Sequence, residues 1–161
     1  MFNLKADFYL KIIFLISFVA LISAFFIEYV LGHQPCNLCL IERIPYGLSI
    51  IIIMAIFLIK KNQKFLILLL ILTFIFSFAI SLYHYGIEQG FFKESSVCGV
   101  KNLTESITKE DLLKHLSEKT VSCRDVTFRI FGLSLTSINI AINVLFIITL
   151  FKIFNKYEKN K

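Results

Sequence analysis

The residues best suited to chemistry are two cysteines three positions apart. Cys36 and Cys39 lie in the stretch HQPCNLCLIERIPYG, residues 33–47. A Cys-x-x-Cys pair closes a small disulfide ring that opens readily, so the motif is typical of redox-active dithiols. If Cys39 begins a helix, Arg43 lies one turn further along the same face. A positive charge there would stabilise a thiolate or a neighbouring anion, so this spacing favours redox chemistry.

Two more cysteines, Cys98 and Cys123, complete an even set of four. All four fall in two polar segments, 32–43 and 86–129, and an even count fits disulfide pairing in an oxidising compartment. The alternatives are two structural disulfides or a zinc site. The distant pair lacks the second Cys-x-x-Cys typical of zinc sites, and a structural disulfide has no use for Arg43. We therefore favour a redox function and predict no metal site.

His84 ends a long apolar segment at the same predicted depth as Cys39 and Arg43. We expect these polar groups to share a pocket that could hold a cofactor. The ordinary alternatives are a histidine paired with a neighbour and an arginine that extends to the lipid headgroups. Glu28 is an acid within the first apolar segment, and its function stays open because intramembrane acids are often functional.

The composition is that of a membrane protein. Of the 161 residues, 57% are hydrophobic, and the mean hydropathy is +0.78. Four spans are predicted at about 12–31, 40–59, 65–85 and 130–151, each near the length that crosses a bilayer. Helices are expected because open strands cannot satisfy their backbone in lipid. The chain should therefore be one all-α domain, a four-helix bundle whose first span is not a cleaved signal peptide.

The lysines predict the orientation of this bundle. The two termini and residues 60–64 contain only Asp7 and Glu158 as acids. The positive-inside rule places these three segments in the cytoplasm and both cysteine-containing loops, 32–43 and 86–129, outside. No basic surface interleaved with aromatic residues suggests nucleic acid binding. The lysines of the three segments are Lys5, Lys11, Lys60, Lys61, Lys64, Lys152, Lys156, Lys159 and Lys161.

The second outer loop, Gly86–Arg129, is too long for a simple connection. A capping box and a partial apolar stripe within residues 107–116 predict a short amphipathic helix, either on the membrane surface or in solvent. If Cys98 and Cys123 pair, their disulfide would be exposed in this loop and open to attack by the thiolate of a partner.

Three segments resemble the DsbB family of bacterial inner-membrane thiol:quinone oxidoreductases, which reoxidise the periplasmic dithiol oxidase DsbA. They are PCNLCLIERIPYG at Pro35–Gly47, YHYGIEQGFF at Tyr83–Phe92 and CRDVTFRIFGLSL at Cys123–Leu135. The order of four spans and the four outer cysteines match as well. The chain departs from many members at Glu42, where they have Gln.

The resemblance implies the reaction and its residues. A reduced DsbA-like partner in the periplasm would attack a Cys98–Cys123 disulfide, and the electrons would then pass to the other pair. Cys39 would be the thiolate that meets a quinone, ubiquinone or menaquinone from the bilayer, with Arg43 and His84 beside it. The four residues assigned to catalysis are Cys36, Cys39, Cys98 and Cys123.

Two other interpretations stay open. One is a non-enzymatic membrane protein with two structural disulfides. The other is an enzyme similar to vitamin K epoxide reductases, in which a Cys-x-x-Cys also faces a quinone. That family usually has the motif on its last span, whereas here the motif precedes the second span, which favours the DsbB-like interpretation.

Overall fold

The computed structural model describes residues 4–59, 62–93, 98, 122–124, 129–130 and 132–159. Each of its four long helices contains a stretch long and apolar enough to cross a membrane. The predicted all-α, four-span fold class is therefore confirmed. The helices are α1 (Leu4–Tyr29), α2 (Asn37–Leu58), α3 (Gln63–Glu88) and α4 (Leu135–Lys159).

The ends of the helices differ from the predicted spans. Helix α1 begins eight residues before the predicted span because the polar residues that precede the apolar segment continue the helix. Helix α4 begins later than expected, since a short antiparallel hairpin occupies the start of the predicted fourth span. Its strands are β1 (Arg129–Ile130) and β2 (Leu133–Ser134), and Gly132 has a φ of +81° that a helix cannot accommodate. The amphipathic helix predicted within 107–116 lies outside the described residues.

The four helices pack in sequence order. Helix α2 lies between α1 and α3, and α3 packs along α4, whereas α1 and α4 barely touch. The bundle is therefore closed along three of its helix–helix seams and open along the fourth.

A buried apolar cluster holds the four helices together. Phe74 lies at its centre, with its ring centroid 4.9 Å from that of Phe146 and 6.3 Å from that of Tyr46, both edge-on. Small polar residues allow helices α1 and α2 to pack closely. Ser49 of α2 donates a hydrogen bond to Ser17 of α1 at 3.2 Å. The buried members are Leu10, Ile13, Tyr46, Ile52, Ile53, Ile56, Ile67, Leu70, Ile71, Phe74, Phe146, Leu150 and Ile153.

A second buried cluster lies at the end of the bundle where α2 begins and α3 ends. It consists of Cys36, Leu38, Ile87, Cys98 and Cys123. Residues from both connecting loops thus meet at this end, and the cysteines lie at the centre of their contact.

Candidate functional site

Cys36 is the residue that caps the N-terminus of α2. Its Sγ accepts a hydrogen bond from the backbone N–H of Cys39 at 3.3 Å, a task usually performed by the side-chain oxygen of Ser, Thr or Asp. The side chain of Cys39 lies beside it, with 2.7 Å between the two sulfurs, and both are free thiols. Because a helix N-terminus carries partial positive charge, this position favours a thiolate.

The neighbours of Cys36 stabilise its ionised form. The hydrogen bond from the Cys39 side chain contributes most, and His84 adds a hydrogen bond and a charge interaction. Together they outweigh the effect of burial and lower the pKa of the Cys36 thiol to about 4. These contacts favour the thiolate form of Cys36 in the reduced pair.

His84, near the end of α3, connects this sulfur to a buried carboxylate. Its Nε2 lies 3.5 Å from Cys36 Sγ, and its Nδ1 lies 2.9 Å from Glu42 Oε1. The other oxygen of Glu42 accepts a hydrogen bond from Asn139 Nδ2 at 2.8 Å. The imidazole is thereby fixed in orientation, with one nitrogen toward the carboxylate and the other toward sulfur.

Glu88 follows His84 by one turn of α3. Its Oε1 accepts a hydrogen bond from the hydroxyl of Thr136 at 2.6 Å and lies 3.9 Å from His84 Nε2. Its Oε2 is buried and has no hydrogen-bond partner among the described residues. Solvent cannot replace that partner easily, because only 6% of the side chain is exposed. A buried carboxylate oxygen without a partner is costly, so this atom suits a ligand.

Arg43 lies at the rim of the same site. Its guanidinium donates a short hydrogen bond to Glu28 of α1 and lies 5.3 Å from the centre of the Phe25 ring. Glu28, whose function the sequence left open, thus pairs with the arginine predicted to bind a cofactor. The pair joins α1 to α2 where the two helices approach the connecting loop.

These groups surround a cavity of about 280 Å³ between α1 and α4, the two helices that barely touch. Of the predicted site residues, Cys36, Cys39, Arg43, His84 and Cys123 line it, whereas Cys98 packs in the adjoining buried cluster. The apolar part of its wall comes mainly from Ala20, Leu21, Ala24, Ile27, Leu135, Ile138 and Ile142.

Cys98 and Cys123 form a disulfide, with their Cα atoms 5.6 Å apart. The expectation that this disulfide is exposed is wrong for the described arrangement, because Cys98 is fully buried and Cys123 is 2% exposed. Apolar packing explains the burial, since both residues lie against Leu38 and Ile87. The structure thus has one disulfide, between Cys98 and Cys123, and one pair of free thiols, Cys36 and Cys39.

Comparison with known proteins agrees with this geometry. The family model described as "Disulfide bond formation protein DsbB" matches residues 6–153. The chain belongs to the DsbB family. It is also 29% identical over 148 residues to the uncharacterised protein RP370 of Rickettsia prowazekii (strain Madrid E), which covers 91% of this chain and 86% of that protein. Membership of the DsbB family makes the chain a multi-pass membrane protein of disulfide bond formation.

Sequence reasoning missed four polar residues of this DsbB-family site: Glu42, Glu88, Thr136 and Asn139. Glu42 was noted only as a departure from the family pattern. Thr136 and Asn139 are polar residues three apart near the start of an apolar segment, and such residues in a membrane span usually face the protein interior. That spacing was the signal that could have predicted them.

Proposed function

We propose that this chain is a thiol:quinone oxidoreductase that reoxidises a DsbA-like dithiol oxidase and passes the electrons to a bilayer quinone. One observation carries the proposal: residues of both cysteine pairs line one cavity that has a polar end and an apolar wall contributed by two loosely packed helices, α1 and α4. At such a position the protein could react both with an electron donor from the aqueous side and with an acceptor dissolved in the lipid. Membership of the DsbB family supports the same reaction.

The cavity residues fit a quinone. Aliphatic side chains of α1 and α4 suit an apolar ring and its isoprenoid tail, and the seam between these helices provides access from lipid. Arg43 and His84 lie at the polar end of the cavity, where the ring oxygens would bind, and the guanidinium of Arg43 has several N–H groups that could donate to them. When bound, the quinone supplies a two-electron acceptor that leaves as a quinol after taking up two protons.

Two disulfide exchanges would deliver the electrons to this cavity. The partner's dithiol would reduce the Cys98–Cys123 disulfide and depart as a disulfide. The reduced loop pair would then reduce a Cys36–Cys39 disulfide and recover its own. A disulfide at Cys98–Cys123 and free thiols at Cys36 and Cys39 are compatible with the state that follows the second exchange.

The two thiols of the helix pair would have different tasks. Cys36 is buried in the same cluster as Cys98 and Cys123, which suits exchange with the loop disulfide. Cys39 packs at the edge of that cluster, is partly exposed and lines the cavity, which suits transfer to the acceptor. His84, held by Glu42, is positioned to take up or return a proton at the sulfur of Cys36.

The orientation in the membrane is part of the proposal. The excess of lysine in both termini and in residues 60–64 favours a cytoplasmic position for these segments. The cysteines would then lie on the periplasmic side of a bacterial inner membrane, where a soluble DsbA-like partner and an oxidising environment meet them.

Anaerobic reduction of added quinone by the purified protein tests this function. With a reduced thioredoxin-fold dithiol protein as donor, we expect stoichiometric quinol formation. The Cys39→Ser variant should instead accumulate a mixed disulfide with the donor, because the exchange can start but the helix pair cannot re-form its disulfide. Absence of quinol formation by the intact protein with every donor and quinone type tried would overturn the proposal.

A further inference from the structure

The reduced site has the donor atoms of a metal centre. Ligand atoms of Cys36, Cys39 and His84 all lie within 4.8 Å of one another. Thiolate sulfur and imidazole nitrogen are the ligands that zinc prefers. We propose that the reduced Cys36–Cys39 pair binds Zn²⁺ together with His84 and Glu88, and that the bound ion blocks the electron relay.

The distances are close to those of a tetrahedral site. Zinc bonds of about 2.3 Å to sulfur and about 2.0 Å to nitrogen put a sulfur and a nitrogen ligand roughly 3.5 Å apart. The distance between Cys36 Sγ and His84 Nε2 is 3.5 Å. The two sulfurs, now 2.7 Å apart, would have to separate by about 1 Å. The Cys39 side chain, which is partly exposed and lines the cavity, would have to rotate to make that change.

His84 is oriented as a metal ligand. Its Nδ1 is engaged with Glu42 Oε1 at 2.9 Å, which leaves Nε2 directed toward the sulfurs. A carboxylate that fixes the second nitrogen of a histidine is the usual support of zinc-binding histidines, because it sets the tautomer and the ring orientation. Glu42 is in turn fixed by Asn139 at 2.8 Å, so the support is itself held in place.

Glu88 is the proposed fourth ligand. Its Oε1 lies 3.9 Å from His84 Nε2, and its carboxylate would have to move toward the sulfurs, because it lies outside the group of ligand atoms within 4.8 Å of one another. Thr136 holds one of its oxygens at 2.6 Å, while its buried Oε2 has no partner within the described part of the chain. The carboxylate lines the same cavity as the two sulfurs. A cation at this place would satisfy the orphaned oxygen and compensate its burial, since buried charges are normally paired or coordinate metals.

The proposed zinc site differs from the four-cysteine zinc site that the sequence analysis disfavoured. A four-cysteine zinc site needs Cys98 and Cys123, and these are joined in a disulfide. The proposed centre needs both thiols of the helix pair instead, so only the reduced form can bind the ion. Binding releases the proton of the Cys39 thiol and moves no electrons. Metal binding follows from the geometry alone, whereas the block of the relay rests on the proposed function.

Cobalt(II) is a suitable probe because thiolate coordination gives it visible absorption bands. The Cys98→Ser/Cys123→Ser variant, purified in detergent and reduced with a phosphine, contains only the helix pair as thiols. Titration should give a single equivalent of bound Co²⁺ with thiolate charge-transfer bands, displaced by Zn²⁺. The oxidised pair should give none. The wild-type chain, whose four cysteines are then all thiols, repeats the titration in case the serine variant is unstable, and Cys39→Ala should lower its signal by one equivalent of bound Co²⁺.

Variants assign the remaining ligands. His84→Ala and Glu88→Gln should each weaken Co²⁺ binding by about 100-fold, and Glu42→Gln by roughly 10-fold, as for loss of an outer-shell support. His33→Ala and Glu28→Gln serve as matched controls, since His33 lines the cavity outside the proposed centre and Glu28 pairs with Arg43. The affinity of these two control variants for Co²⁺ should equal that of the parent protein. Equal weakening in the controls, or no thiolate band in any reduced sample, would overturn the site.

An activity assay separates this inference from the proposed function. Added Zn²⁺ should slow quinone reduction by the wild-type protein, and a chelator should restore the rate. A protein that binds Co²⁺ but reduces no quinone would overturn the proposed function and leave the metal site standing. A protein that reduces quinone but binds no Co²⁺ would overturn the metal site alone.

Discussion

His84 Nε2 lies 3.5 Å from Cys36 Sγ, although 48 positions separate the two residues in the chain. The contact joins the end of α3 to the start of α2 and continues through Nδ1 to the carboxylate of Glu42. A sulfur, an imidazole and a carboxylate thus form one hydrogen-bonded series. This series makes Cys36 more than one half of a Cys-x-x-Cys motif, because its charge state depends on His84 from α3 as well as on Cys39.

The first prediction concerns the reactivity of Cys36 as a function of pH. Because its pKa is lowered to about 4, the thiolate dominates at every pH above that value. In the reduced Cys98→Ser/Cys123→Ser variant, the rate of Cys36 alkylation by iodoacetamide should be nearly constant from about pH 8 to about pH 5. Mass spectrometry of the modified peptide measures this rate.

The Cys39→Ala variant is the control for this prediction. It removes the hydrogen bond that contributes most to the lowered pKa. Alkylation of Cys36 should then slow as the pH falls, because a larger part of the thiol is protonated. A tenfold loss of rate per pH unit in the parent protein, as for an ordinary thiol with a pKa of about 8.5, would contradict the prediction.

The second prediction concerns the ion pair between Arg43 and Glu28. If Glu28 holds the guanidinium in place over Phe25, Glu28→Gln and Arg43→Ala should both reduce quinone turnover. The double variant should be no slower than Arg43→Ala, because residues that act through one contact are not additive. Steady-state rates of the four proteins complete the cycle. Independent, multiplicative losses would show that the pair does not act as a unit.

The third prediction concerns access between α1 and α4. Ala24 lines the cavity from α1, so Ala24→Phe should fill it and raise the KM for quinone at least tenfold. The KM for the dithiol donor should stay the same, since that donor reacts at the loop disulfide. Ser23→Phe places the same ring at the neighbouring exposed position and should leave both constants unchanged. If both variants changed the KM for quinone equally, the result would argue against quinone entry between α1 and α4.

The fourth prediction concerns the polar network inside the bundle. Asn139 donates hydrogen bonds to Glu42 and Ser81, both at 2.8 Å, and accepts one from the hydroxyl of Tyr46. Asn139→Leu leaves these three groups without that partner, so it should lower the free energy of unfolding by about 2–4 kcal/mol. Thermal unfolding in detergent measures the loss.

Thr149→Val is the matched control on the same helix. The hydroxyl of Thr149 donates to the carbonyl of Leu145 one turn back, and this carbonyl keeps its helical environment in the variant. Stability should change by less than about 0.5 kcal/mol. If the two variants unfold at the same temperature, Asn139 does not hold the network together.

Much of the fold could be predicted from hydropathy. Four apolar segments of spanning length must become helices in lipid, because the backbone has to satisfy its own hydrogen bonds there. The ends of the helices could not be predicted from hydropathy, since polar flanking residues can continue a helix or lie outside it. The hairpin before α4 is an example: Ile130 looks like the start of a span, but the positive φ of Gly132 belongs to a turn.

The sequence by itself determined the chemistry available at the site. The Cys-x-x-Cys spacing, Arg43 one helical turn later and the polar loops around the other cysteines are local features, and local spacing fixes which groups a helix start can present. Only the tertiary structure decided which groups act on one another. The contacts of Cys36 with His84 and of Arg43 with Glu28 depend on how four helices pack. So does the cavity that Cys36, Cys39 and Cys123 line together. Such contacts join distant positions through space, and no spacing along the chain encodes them directly.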